Sequence, residues 1–235
     1  MRLDVYLHEK LGLQSRNKAS ETIKAGEVLV NSKIISKPSF EISEDDFVEV
    51  VSENLFVSRA AYKLMRFLKS YELKIEDRNC LDIGSSTGGF AQILIQNGAK
   101  SVTCVDVGSD QLHKTLRTNP KIKLFEKQDI RKFESEQKFD LCVCDVSFIS
   151  VLKILEDIDR LSSADILILF KPQFEVGIEA KRDKNGVVTD QNAIAKSKAL
   201  FFEACSKLGW KLVVNLESEI SGKEGNTEEF YYFEK

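Results

Sequence analysis

Four charged residues stand at separated stations of this 235-residue chain: Lys63 within an amphipathic run, Asp145 and Lys171 at the ends of apolar runs, and Glu228 near the carboxyl end. Each falls where an open α/β sheet that binds a nucleotide-bearing cofactor presents side chains to its ligand. Brought together, two lysines and two carboxylates depress the pKa of one amine, leaving part of it neutral at pH 7. Such a constellation suits taking a proton from a hydroxyl group. Unpaired charge at the end of a buried strand is costly, which argues against a merely structural origin for Asp145 and Lys171.

The strongest single motif is NCLDIGSSTGGF: an apolar strand ending in Asp82, a loop of Gly84, Ser85, Ser86, Gly88 and Gly89, and a helix that starts near Phe90. Glycine admits positive φ and close approach of main chain to a ligand, and a helix start offers free N–H groups. A side chain at Gly88 is therefore expected to collide with that ligand. The spacing is G-x-x-x-G-G, not G-x-G-x-x-G, and an acid precedes the first glycine, so a ligand carrying a cation or amino group fits better than a dinucleotide. S-adenosylmethionine has that chemistry: a sulfonium, an α-amino group, an adenosine and no phosphate. KSVTCVDVG sets Asp106 at a strand tip, where a carboxylate accepts two ribose hydroxyls, with Val107 beside it. KIKLFEKQDIR sets Asp129 and Ile130 on the adenine side. KFDLCVCDVSF and ADILILFKPQFEVG read as apolar strands ending in Asp145 and Lys171.

The elements that must hold these residues have an ordinary globular composition, with 43% hydrophobic and 30% charged residues. The length allows one large domain and a small one. No apolar run approaches the roughly 20 residues of a membrane helix, and the amino terminus lacks a signal-peptide core, so a cytoplasmic protein with no membrane partner is expected. The five cysteines, Cys80, Cys104, Cys142, Cys144 and Cys205, lie mostly in apolar strand-like runs and read as reduced core residues. With only His8 and His113 to join them, no zinc set forms, and no metal is expected. The net charge of −3 does not exclude nucleic acid, because phosphate binding needs a local basic surface. Arg2, Lys10, Arg16, Lys18 and Lys24 cluster early, whereas Glu41, Glu44, Asp45, Asp46 and Glu49 follow later.

The first fifty residues read as a unit. MRLDVYLHEKLGL predicts a short helix closed by Gly12; SRNKASETIKAG predicts a second, capped by Ser15 and stopped by Gly26. Short strands follow in EVLVNSKII and DFVEVV, broken at Asn31, Ser32 and Pro38. Two small helices followed by strands resemble the S-four-type RNA-binding domain. That resemblance implies that Arg2, Arg16, Lys18 and Lys24 face RNA, with Lys33 nearby. SRAAYKLMRFLKSYEL then predicts a helix with Ser58 as cap, an apolar stripe of Ala61, Leu64, Met65 and Leu68, and a basic face of Arg59, Lys63 and Arg66. On the residues alone that face is either solvated or RNA-facing.

DIGSSTGGF, VDVG, CDVSFIS, LFKPQFEVG and GNTEEFYYF together resemble the TlyA family of rRNA ribose 2′-O-methyltransferases, long labelled haemolysins, whose catalytic domain is of the FtsJ type. The likeness spans essentially the whole chain. It implies an RNA-binding domain over 1–52, a linker over 53–58 and a Rossmann-like methyltransferase domain over 59–235. It also implies a catalytic tetrad of Lys63, Asp145, Lys171 and Glu228, with Glu229 the competing candidate for the last place. Lys171 is then the expected general base, its neutral form favoured by nearby Lys63, with Asp145 and Glu228 orienting it and Lys63 stabilising the developing alkoxide. The partners implied are ribosomal RNA and ribosomal subunits; members that, like this chain, add no helix at either end modify a cytidine of 23S rRNA, and longer ones 16S rRNA as well. The haemolysin label finds no support in any membrane-type helix. GIEAKRDKNGVVTDQ is a polar loop that either closes over substrate or is a surface insertion. A non-catalytic ribosome-assembly factor stays open as an alternative; a nicotinamide oxidoreductase is disfavoured by Asp82 and the glycine spacing. The oligomeric state is left open.

Overall fold

A computed structural model of the chain describes residues 1–235 except 12, 14, 25, 32, 44, 45 and 51–55. Gly12 as a helix stop, Ser32 in a turn, Glu44 and Asp45 of the acidic cluster, and most of the linker lie outside the described residues. The chain divides into two units, Met1–Arg59 and Ala60–Lys235.

In the first unit, α1 (Leu3–Glu9) and α2 (Arg16–Lys24) precede β1 (Val28–Val30), β2 (Lys33–Ile34) and β3 (Val48–Val50). Ser15 starts α2 as expected, its hydroxyl accepting the Lys18 amide at 3.1 Å, and Gly26 follows the helix with φ 74°. Both strand pairings are antiparallel, in the order β2-β1-β3. Leu3, Leu7, Ala19 and Ile23 pack on Val28 and Val30 to make the small core.

The second unit carries α3 (Arg59–Ser70, its first residue counted with the first unit), β4 (Asn79–Ile83), α4 (Gly89–Gln96), β5 (Ser101–Val105), α5 (Lys114–Arg117), β6 (Ile122–Phe125), β7 (Phe139–Cys144) and α6 (Leu155–Leu161). It continues with β8 (Ser162–Phe170), α7 (Pro172–Glu175), α8 (Gln191–Lys207), β9 (Lys211–Glu217) and β10 (Glu229–Glu234). Among the described residues seven strands form one sheet, ordered β6-β5-β4-β7-β8-β10-β9. The run from β6 to β8 is parallel, and β10 enters antiparallel between β8 and β9. From β4 the chain winds outward through β5 and β6, then returns to lay β7 on the other flank of β4. The carboxyl ends of β4 and β7 therefore border a topological switch point, where such sheets bind ligands. This is the expected Rossmann-like methyltransferase sheet.

Helix α3 departs from the expected pattern. Met65 and Leu68 are only partly buried, while Ala61, Leu64 and Phe67 go under together with Lys63 and Arg66. The cause is aromatic: Phe67 packs on Phe230 at 4.9 Å and Tyr71 on Tyr232 at 5.4 Å, which rolls the helix onto β10. The basic face survives at the surface only as Arg59. Arg66 is 9% exposed and donates to Glu219 at 3.0 Å, so its expected place on an RNA surface is corrected to a buried arginine paired with an exposed acid. Ser58 does not cap: its hydroxyl is buried and makes no hydrogen bond. The five cysteines are buried free thiols, and burial pushes Cys144 up to about 12.

Candidate active site

A cavity of about 550 Å³ opens at the switch point, bordered by Gly84 and Ser86, by Asp106 and Val107, by Asp129 and Ile130, and by the segment from Asp145 to Ile149. Gly84 has φ 77°, and a Cβ there would lie 3.1 Å from the Val146 main chain, so the loop after β4 and the exit of β7 meet at a glycine. Asp106 is held by two main-chain donors, Ser86 N at 2.8 Å and Gly108 N at 2.7 Å, one on each oxygen. The guanidinium of Arg131 grips Asp129 and holds its carboxyl down at about 2. The wall thus offers carboxylates, and its arginine is turned onto one of them. That donor set suits hydroxyl and amino groups better than phosphate.

The rest of the glycine motif lies behind this wall. Asp82 is fully buried; one oxygen accepts the Ala91 amide at 3.0 Å and the other has no partner. Burial, then the nearby charge of Asp145, pushes its carboxyl up to about 8. Ser85, Gly88, Gly89 and Phe90 are buried off the cavity, and Phe90 stacks on Phe230 at 6.1 Å. The expected ligand collision at Gly88 is corrected accordingly. With φ 91°, Gly88 is needed for its left-handed backbone and because a Cβ would overlap Leu116 and sit 2.6 Å from Leu112 Cδ1.

The four chemical stations form two ion pairs. Lys63 Nζ on α3 lies 2.5 Å from Glu228 Oε2, and Lys171 Nζ after β8 lies 2.7 Å from Asp145 Oδ1. Lys63 is 8% exposed, Lys171 7% and Glu228 2%. Strand register joins the pairs: Glu229 stands opposite Phe170, so the next step along each chain sets Glu228 beside Lys171. Each lysine faces a carboxylate, Lys63 that of Glu228 and Lys171 that of Asp145. Glu229 points elsewhere, to Lys198, to Asn215 at 3.3 Å and to Tyr231 at 2.8 Å. Burial opposes its ionisation, yet those hydrogen bonds hold its carboxyl below the usual range.

Two interactions escaped the reading of the sequence. Ser147 Oγ accepts from Lys171 at 2.9 Å, and Gln173 Nε2 donates to Glu228 Oε1 at 2.9 Å. Both lie inside motifs already singled out, CDVSF and FKPQF, but short polar side chains carry no charge signal. The polar segment after Lys171 is tied down: Arg182 donates to the Gln173 carbonyl at 3.1 Å, and the Val188 amide donates to Asn226 Oδ1 at 2.9 Å.

In the first unit, Arg2 and Arg16 converge on Asp4. Arg2 makes two bonds of 2.9 Å and Arg16 one of 3.0 Å, while their side chains stay 44% and 53% exposed. Lys18, Lys24 and Arg59 are exposed as well. Among the described residues no cluster of His, Cys, Asp and Glu is arranged to hold a metal ion, and no helix is long and apolar enough to cross a membrane.

Residues 56–235 match the family model of the FtsJ-like methyltransferases, and residues 1–48 that of the S4 domain. The 23S rRNA (cytidine-2′-O)-methyltransferase TlyA of Campylobacter jejuni is 49% identical over 255 aligned positions, covering 100% of both chains. The 16S/23S rRNA (cytidine-2′-O)-methyltransferase TlyA of Mycobacterium tuberculosis is 37% identical over 98% of this chain and 88% of its own. A solved structure from Streptococcus thermophilus, named provisionally as a hemolysin, is similar with a TM-score of 0.75 at 32% identity, covering 100% of this chain and 88% of that one.

Proposed function

The chain belongs to the TlyA family of FtsJ-like methyltransferases with an S4 domain at its amino end, and from that premise we propose that it methylates the ribose 2′-hydroxyl of a cytidine in 23S rRNA. The observation that carries this reading is the pair of buried ion pairs, Lys63–Glu228 and Lys171–Asp145, set at the carboxyl ends of the strands beside a carboxylate-lined cavity.

The cavity fits S-adenosylmethionine, with Asp106 placed for ribose hydroxyls, Asp129 for an amino group and Gly84 for close main-chain approach. When bound there, that group supplies an electrophilic methyl on a sulfonium. The protein's part is positioning and proton transfer. Lys171 and Asp145 are neutral as a pair in two arrangements, ammonium with carboxylate or amine with carboxylic acid. In the second, Lys171 accepts the proton of the ribose hydroxyl, and Asp145 keeps the proton it received across 2.7 Å. Lys63, held by Glu228, presents positive charge to the oxygen as it becomes an alkoxide. Fixing hydroxyl and methyl in line supplies much of the remaining barrier reduction. Arg2, Arg16, Lys18, Lys24 and Arg59 are the exposed cations that suit an RNA backbone.

The test is methyl transfer from labelled S-adenosylmethionine to isolated ribosomal subunits, with mass mapping of ribose methylation. A 2′-O-methylcytidine in 23S rRNA is expected. Label on 16S rRNA alone would correct the substrate, and cofactor-independent RNA binding without transfer would favour an assembly factor.

A further inference from the structure

We propose that Gln173 and Gly222 form a clamp that fixes the carboxylate of Glu228, making Gln173 a positioning residue for methyl transfer. This rests on the reading of the Lys63–Glu228 pair as part of the catalytic machinery. Lys63 engages Glu228 Oε2 at 2.5 Å from α3, and Gln173 engages Oε1 at 2.9 Å from α7. The terminal torsion of a glutamate is broad, so a carboxylate held by one oxygen swings. Held by both, from two elements, it is fixed in plane.

Gly222 completes the clamp by being small. A Cβ there would stand 2.7 Å from Glu228 Oε1 and 3.3 Å from Gln173 Nε2, which is where the hydrogen bond runs. The loop bearing Gly222 is itself anchored: Gly222 N donates to the Asn226 carbonyl at 2.8 Å, and Asn226, 3% exposed, accepts from Val188 N. An amide is the suitable donor because it adds no charge. The groups facing Glu228 are Lys63 from α3 and Lys171 after β8, itself paired with Asp145 after β7; Arg66, also on α3, is taken up by Glu219. Two cations already balance two carboxylates. A carboxylate in place of Gln173 would break that balance unless one of the facing acids took up a proton and donated it as the amide does.

Gln173→Leu, Gln173→Glu and Gly222→Ala are compared with the wild-type chain in kcat at saturating rRNA and S-adenosylmethionine across the range from about pH 6 to about pH 9. Gln173→Leu and Gly222→Ala are expected to lower kcat about 10- to 100-fold with KM for rRNA nearly unchanged. For Gln173→Glu, the ratio of its kcat to that of wild type should climb as pH falls. A loss that only reflected weakened folding would leave that ratio flat, and a flat ratio, or wild-type kcat in the other two variants, overturns the clamp. Gln173→Glu matches the native side chain in size and keeps the test readable should the leucine variant not fold. A second readout needs no turnover: the carbon-13 resonance of the Glu228 carboxyl in glutamate-labelled protein should move from its wild-type position in Gln173→Leu and Gly222→Ala, since the donor on Oε1 is removed or displaced. An unmoved resonance overturns the clamp. A wild-type chain without methyl transfer whose variants do move that resonance would instead sink the functional reading and leave the clamp standing.

Discussion

Both units use a buried carboxylate to hold cations, and they differ in where those cations end. In the first, Asp4 is 3% exposed and gathers Arg2 and Arg16, whose guanidinium groups remain about half in solvent. In the second, Glu228 is 2% exposed and the lysine it holds is buried with it. Burial decides the use. Half-exposed arginines keep donors free for a phosphate and act through a field that salt screens. A buried lysine and carboxylate are screened little, and each depends on its partner. Asp82 shows the third case, a buried carboxylate with no cation, whose proton the fold retains.

The largest effect that sharpens this contrast is expected inside the second unit. Lys171→Ala should lower kcat by about 10²–10⁴-fold while S-adenosylmethionine and rRNA affinities survive, because the loss falls on the transition state. Lys171→Arg should not restore it, since a guanidinium cannot accept the hydroxyl proton. Near-normal turnover of the arginine variant would reduce Lys171 to a positioning cation.

Next in size is the difference between two adjacent acids. Glu228→Gln leaves Lys63 buried without its charge partner and should cost kcat about 100-fold together with stability on the order of 3 kcal/mol. Glu229→Gln, at the acid that faces Lys198 of α8, should leave kcat within about threefold. Equal losses in steady-state assays of the two would remove the distinction that the geometry draws.

In the first unit a smaller and differently shaped effect is expected. Arg16→Ala combined with Lys18→Ala should weaken rRNA binding and flatten its logarithmic salt slope by roughly 0.7–0.9 for each phosphate no longer neutralised, with kcat at saturation and cofactor affinity unchanged. Titrations at several salt concentrations read this directly. A fall in affinity with an unchanged slope would mean that the pair supports the fold and does not meet phosphate.

The smallest effect on activity, and a clear one on stability, belongs to Asp82. Its carboxyl is raised from 3.8 in the unfolded chain to about 8 in the fold. Below about pH 4 both states keep the proton; from there to about pH 8 only the unfolded state releases it, so stability falls as pH rises and then levels. The full span is on the order of 6 kcal/mol at most. Asp82→Asn should remove that slope, so that its melting temperature overtakes that of wild type between about pH 5 and about pH 8. Parallel melting curves across that range would show that a cation or water neutralises Asp82.

Much of this was legible in the residues. Ser15 and Gly26 mark the bounds of α2 because capping and left-handed turns are local chemistry. The apolar runs ending in Asp82, Asp145 and Lys171 were readable as parallel strands because both faces of such a sheet are covered. The stripe of helix α3 was read correctly at Ala61 and Leu64 and wrongly at Met65 and Leu68, because period alone gives two adjacent faces nearly equal weight and the aromatic residues of β10, more than 160 positions away, chose between them. The glycine loop misled for a similar reason. Positive φ was foreseeable at Gly88, but that leucines and not a ligand fill the space beside it is a fact of packing.

The sequence by itself determined the main helices and apolar strands and the identities of the charged stations, since propensity, caps and apolar period act over a few residues. Which lysine meets which carboxylate was decided only by the tertiary structure. The antiparallel entry of β10 beside β8 sets Glu228 next to Lys171 and under Lys63, and turns Glu229 away to Lys198. A strand's register is fixed by what its two faces bury, and that sum includes partners from the whole length of the chain.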